Sequence, residues 1–319
     1  MAAVYLGLAA GPWLGGLLTQ HLGWRSIFVG TAGLALIMSL VLTRGLKQDA
    51  IAAPGERLDL PGALIYAAAI AGLLLGVSWL PNPRGAGLLT VGLALFGLFY
   101  GYELRQSQPL FEMRLFRDNR SFALSNLAAL INYAATYSVA FLLSLYLQYV
   151  KGLNPAHAGT VLLVQPLIQA LLSPLAGRLS DRRDAGKLAS LGMLLTAIGL
   201  AGLSLLDAAS GLGWILGCLT VLGCGFALFS SPNTNAIMAS VEARHYGNAS
   251  ASMSVMRSLG QVFSMAMTTT LFALLIGSAA LGPANLAAFL TSLRLAFGIS
   301  TGLCMLALAV SFRRDPLQT

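Results

Sequence analysis

Ten runs of about 20 residues, nearly free of charge, follow one another along this chain, and they restrict its fold more than any other feature. They fall near residues 1–19, 25–43, 61–80, 86–104, 122–149, 156–176, 187–206, 212–235, 252–277 and 291–312. A bilayer core is about 30 Å thick and a helix rises about 1.5 Å per residue, so each run suffices for one crossing. Backbone N–H and C=O groups in lipid must be paired within the segment, which makes each run a helix. The expected fold class is an all-α polytopic membrane protein with about ten transmembrane helices. The chain has 9% charged residues, whereas soluble domains carry about 25%.

Charge placement narrows the function classes. The formal net charge is +8, yet the basic residues are spread over short loops instead of forming a continuous patch, so no nucleic-acid partner is expected. Fourteen of the nineteen fall in one set of loops: Arg44, Lys47, Arg57, Arg105, Arg114, Arg117, Arg120, Arg178, Arg182, Arg183, Lys187, Arg244, Arg313 and Arg314. The opposite loops hold Arg25, Arg84, Lys151 and Arg294, and Arg257 lies inside a run. Positive loops face the cytoplasm. The expectation is a multi-pass protein of the cell membrane with both termini cytoplasmic and the first helix running outward. The opening run has no basic stretch ahead of it and leads into further spans, so it reads as a span and not a cleaved signal.

Cys218, Cys224 and Cys304 sit in apolar runs without metal-ligand spacing, and His21, His157 and His245 sit in loops or at helix ends. Neither a metal nor a cofactor is expected. No nucleophile–base spacing is visible, so the protein is not read as an enzyme. Trp13, Trp24, Trp79 and Trp214 fall near span ends, where they would serve as interfacial anchors.

Two polar breaks, 45–60 and 105–121, set off a helical pair, 61–104, from the helices before it, 1–44, and from a six-helix block, 122–312. Residues 313–319 form a tail. In the first run Gly7, Gly11 and Gly15 recur every four residues, making a bare ridge that another helix can approach closely. Pro12 lacks an N–H and leaves the Leu8 carbonyl without its helical partner. Such a face suits a helix packed against a moving neighbour.

Gly7, Gly11-Pro12 and Gly15-Gly16 resemble the antiporter motif in the fifth helix of the fourteen-span drug:proton antiporters of the major facilitator superfamily. Asp59-Leu60-Pro61-Gly62, the stretch Pro109 to Phe116, and Tyr146 to Gly152 are similar to later parts of that branch. The resemblance implies a layout of six helices, a linking pair and six more, with the first four absent ahead of Met1. It also implies that the glycine ridge packs across the boundary between halves, against helix 156–176. Packing only on the hairpin mate 25–43 is the alternative.

The segment Gly177-Arg178-Leu179-Ser180-Asp181-Arg182-Arg183-Asp184 looks like the superfamily's cytoplasmic loop motif, with Asp184 where that family favours glycine. There Asp181 would sit at the positive N-terminus of the next helix and pair with an arginine, latching a cytoplasmic gate. A positive-inside loop with a helix cap is the simpler alternative.

Asn132, Tyr133, Thr136 and Tyr137 occupy one helical stripe, and Gln165 and Gln169 another; with Asn233, Arg257 and Gln261 they are the candidate cavity. Polar side chains in spans favour the bundle interior, as cavity lining or as plain interhelical hydrogen bonds. Arg257 is costly inside a membrane and reads as functional, or else its stem carries the charge to the interface. All eleven acids fall in loops or at span ends. Glu103 is the deepest of them, an interfacial partner for Arg105.

What the resemblance implies is a secondary transporter of the multidrug efflux type, exporting small amphipathic compounds in exchange for protons. A truncated, non-transporting fragment, or a transporter for another small solute, are the alternatives. The proton-carrying acid is expected in the missing helices.

Overall fold

In the computed structural model the described residues are 2–45, 59–80, 82–106, 111–277, 282 and 285–311. Most of the break 45–60, Pro109 and Leu110, and the tail 313–319 lie outside them. The described elements are helical: α1 (Ala2–Leu22), α2 (Arg25–Gly45), α3 (Leu60–Ser78), α4 (Pro83–Glu103), α5 (Met113–Asp118), α6 (Arg120–Thr136), α7 (Val139–Leu145), α8 (Pro155–Leu162), α9 (Val164–Ser180), α10 (Ala185–Ser204), α11 (Leu212–Ala239), α12 (Tyr246–Leu275) and α13 (Leu286–Ser311). Nine segments among the described residues are long and apolar enough to cross a membrane. Helix α1, with 21 residues, is also of spanning length.

Helix starts are written in the sequence as an Asx residue, often followed by proline. Asp59, Asn82, Asn119, Asn154 and Asp184 each accept a hydrogen bond from an N–H in the first turn of the helix they open. These acceptors satisfy donors that have no partner inside the helix. Pro61, Pro83 and Pro155 occupy early positions where an N–H is not needed.

Two expected spans are interrupted. The run 122–149 is α6 and α7 followed by a π-helical turn over Tyr146–Val150. The run 156–176 is interrupted at Leu163, between α8 and α9. Pro166 explains the second break, because it cannot donate to the carbonyl four residues back at Leu162.

The six-helix block holds the main core. Leu142, Leu143, Tyr146 and Leu147 pack with Met193 and Leu200 of α10, Leu219 of α11, and Phe289 and Phe297 of α13. The end of the block at residues 205–211 is tied down by polar contacts to loop carbonyls. Tyr146 donates to the Asp207 carbonyl at 2.5 Å, Lys151 to Ala208 at 2.8 Å and Arg294 to Leu206 at 2.7 Å. These cations sit where the α10 dipole is negative. At Gly260 the α12 and α6 backbones come so close that a Cβ would lie 2.5 Å from the Leu130 carbonyl oxygen.

The break 105–121 is no simple linker. It contains α5, whose apolar side chains are packed on both sides. Glu103, 2% exposed, accepts a hydrogen bond from the Phe111 backbone N–H at 3.0 Å, and Arg105 is exposed. The deepest acid therefore fastens the chain that follows it, a correction to the expected Arg105 pairing. Helix α2 has no buried residue.

Candidate functional site

Helix α1 does lie along α8 and α9, and the close approach falls on one glycine. A Cβ on Gly16 would sit 2.6 Å from the Pro155 carbonyl oxygen, and Gln20 accepts from the Ala156 N–H at 3.3 Å. The Gly7-Gly11-Gly15 ridge does not make this contact. Gly7 and Gly11 are exposed, with nothing within 4 Å of where a Cβ would be, and Gly15 meets only Ile27 of its hairpin mate at 3.9 Å. The side chain of Pro12 lies outside the described set. Gly16, one residue past the four-residue repeat, is on the facing side because each helical step turns the chain by about 100°.

The cytoplasmic-loop motif is built differently from the expectation. Asp184, not Asp181, caps α10, accepting from the N–H groups of Gly186 at 2.9 Å and Lys187 at 3.3 Å. Asp181 ends α9, where its carboxylate accepts from the Asn235 side-chain amide at 3.2 Å. The same Asn235 nitrogen donates to the Ser180 hydroxyl at 2.6 Å, and Ser180 donates onward to the Gly177 carbonyl at 2.8 Å. An amide therefore holds Asp181 in the position expected for an arginine. Arg178, Arg182 and Arg183 belong to the same turn, and Arg182 and Arg183 point to the exposed side. No local signal singles out Asn235 for this role, since its partner is 54 positions away.

The candidate cavity residues divide by burial. Asn132, Thr136, Gln169 and Asn233 are packed inside the six-helix block. Thr136 bonds its own helix through the Asn132 carbonyl at 2.6 Å, and Asn233 donates to the Ser125 carbonyl at 3.1 Å, tying α11 to α6. These are structural hydrogen bonds between and within helices. Tyr133, Gln165 and Gln261 are half-buried, while Tyr137 and Arg257 are exposed. The supposed single stripe on α6 is thus two: Asn132 and Thr136 face inward, and Tyr137 is 49% exposed. Tyr133 meets Phe226 of α11 edge to face at 6.0 Å. Arg257 lies eleven positions past the start of α12 at Tyr246, about three turns into the helix.

A polytopic helical bundle whose spans carry polar and aromatic side chains is the class that this fold and this site define. The sequence profile of the Major Facilitator Superfamily matches residues 1–265. The chain belongs to that superfamily. It is 32% identical over 275 residues to the riboflavin transporter RibZ of Clostridioides difficile, covering 85% of this chain and 59% of that one. Multidrug resistance protein Stp of Mycobacterium tuberculosis is 31% identical over 277 residues, covering 85% of this chain and 51% of that protein. A tetracenomycin C resistance and export protein of Streptomyces glaucescens is 31% identical over 249 residues, 75% of this chain and 45% of that one. The chain thus spans about half to three fifths of these curated relatives. Among solved structures, the nucleoside transporter NupG aligns with a TM-score of 0.51 at 13% identity, over 98% of this chain and 83% of that one. That likeness concerns the fold.

Proposed function

We propose that the protein is a secondary transporter that exports amphipathic organic compounds in exchange for protons by alternating access. The observation that carries this reading is the packing of α1 along α8 and α9 of the six-helix block. The backbones come close at Gly16 and Pro155, on the face of α1 turned toward the block. A seam between a helix of the first pair and helices of the six-helix block is where rocking of one bundle against the other would act. The multidrug and tetracenomycin names among the relatives support the substrate class.

The basic loops support a cell-membrane orientation with both termini cytoplasmic. In that frame Gly16 lies toward the outer face, and the Asp181–Asn235 contact belongs to a cytoplasmic gate. Tyr133, Tyr137, Gln165, Arg257 and Gln261 are the accessible polar residues that would line the pathway, with the Tyr133–Phe226 pair offering aromatic surface.

Flux in proteoliposomes tests this, using the product of the complete reading frame. An imposed pH gradient should drive accumulation of a fluorescent amphipathic cation, and a protonophore should abolish it. Accumulation indifferent to the gradient would overturn proton exchange. Competition by riboflavin but not by cationic dyes would replace the multidrug reading with that of a transporter for another small solute.

A further inference from the structure

We infer that α3, α4 and α5 form one rigid unit with the six-helix block and travel with it, however α1 and α2 move against that block. The alternating-access reading supplies the motion, but the union of these elements stands on their own contacts.

The short segment from Phe111 to Phe116 is apolar on two sides. Phe111 and Met113 are buried against Phe99 of α4, and Val255 of α12 closes the same cluster. Phe111 stacks on Tyr66 of α3 at 6.0 Å and meets Phe99 at 6.4 Å. Leu115 packs onto Phe122, Ile237 and Ala249 at the end of the six-helix block, and Phe116 touches both clusters. Phe116 and Phe122 meet edge to face at 4.9 Å. A flexible tether would have its apolar side chains exposed or absent; this one inserts them into both bodies it joins.

Polar contacts fix the angle of entry. Glu103 holds the Phe111 N–H at 3.0 Å. Asp59, at the start of α3, accepts from the Gly62 N–H at 3.0 Å and from the Tyr102 hydroxyl at 3.1 Å, which binds the near ends of α3 and α4. Gly62 leaves room for both carboxylates, since a Cβ there would meet the Asp59 side chain and lie 2.7 Å from Glu103 Oε1. Above this level α3 and α12 are less closely packed, with an apolar cavity of about 60 Å³ between Ile70 and Leu73 on one wall and Leu259 and Val262 on the other. The lock is therefore at the α5 end, and the rest of the seam depends on it.

Spin labels on the full chain in nanodiscs test this, at Trp79 and Leu274 on the far ends of α3 and α12. Labels at Leu22 and Leu274 report α1. The 79–274 distances should form one narrow peak that stays in place with pH and with the amphipathic cation, whatever the 22–274 distances do. Glu103→Ala or Phe111→Ser should cost that narrow peak, while Glu103→Gln, which keeps an acceptor, should retain it. A broad 79–274 distribution in the unaltered chain, or a peak that shifts together with the 22–274 pair, would overturn the inference. So would a peak indifferent to both disruptive variants. Failure of the transport reading is scored separately, by flux.

Discussion

Asn235 of α11 holds Asp181 of α9 through its side-chain amide, 3.2 Å from the carboxylate, across 54 positions of sequence. The bond is charge-assisted, and its donor also serves Ser180 at 2.6 Å, so one side chain fixes the last turn of α9. Nothing in the turn itself would position the acid, because the helix-capping role falls to Asp184.

Asn235→Leu should therefore loosen the end of α9. A hydrogen bond to a charged group contributes about 1.5–3 kcal/mol when sheltered, and solvent around Asp181 should reduce this to about 1 kcal/mol. A cysteine placed at Arg182 should react faster with a membrane-impermeant maleimide, and Asp181→Asn should show the same acceleration. Equal labelling rates in all three proteins would mean the contact does not hold the turn.

Gly16 and Gly11 should respond differently to the same substitution. Gly16→Val pushes a side chain into the Pro155 carbonyl, and overpacking of this kind costs about 1–3 kcal/mol. Gly11→Val meets open space and should leave thermal unfolding in detergent unchanged. A disulfide between cysteines at Gln20 and Ala156 should form readily in the Gly11 variant and poorly in the Gly16 variant. Matching yields would remove Gly16 from the contact.

Gly260→Ala should lower the melting temperature through the backbone approach to Leu130, again by about 1–3 kcal/mol. Gly298, with nothing near its Cβ direction, is the control. Indistinguishable melting of the two variants would show that α6 and α12 can part without loss.

The loop from Asp207 to Ser210 carries a pH dependence of known sign. Hydrogen bonds from the Ser210 side chain, then from the Ser210 and Ala209 backbones, hold the Asp207 carboxyl below its ordinary range. A depressed carboxyl stabilises the fold above its unfolded value, near 3.9, and the contribution fades as pH falls through the lower folded value. Hydrogen exchange at Ala209 and Ser210, taken relative to the intrinsic rate at each pH, should stay slow at neutral pH and accelerate only in acid below about pH 4. Asp207→Asn should exchange faster at neutral pH too. Acceleration already at mildly acidic pH would assign the loop's order to another group.

Arg257→Met should insert and fold normally, since an intramembrane arginine costs about 2.5–3.5 kcal/mol on insertion scales. If Arg257 lines the pathway, flux of the amphipathic cation should fall sharply at unchanged expression. Flux equal to the parent protein would leave the residue as a side chain reaching for the interface.

Much of the architecture was legible along the chain because it depends on local quantities. Run length fixed the spans, and Asn154-Pro155 or Asn82-Pro83 marked where helices start, since capping acts within one turn. The break at Leu163 follows from Pro166, but the unbroken apolar run 156–176 conceals it. Burial could not be read the same way: Asn132 in α6 and Tyr137 just past its end are both polar, but one is enclosed by neighbouring helices and the other is not.

What the sequence by itself determined is a membrane-embedded helical bundle of this superfamily, because hydropathy, charge placement and capping depend on residue type and short spacing. What only the tertiary structure decided is which residue meets which. It chose Gly16 over Gly7 and Gly11, gave Asp181 an amide partner in place of an arginine, and turned the segment Phe111–Phe116 into a fastener between two bodies. Those outcomes rest on the rotation of each helix about its axis and on contacts between positions far apart in the chain, and in a uniformly apolar sequence hydrophobic periodicity leaves both undetermined.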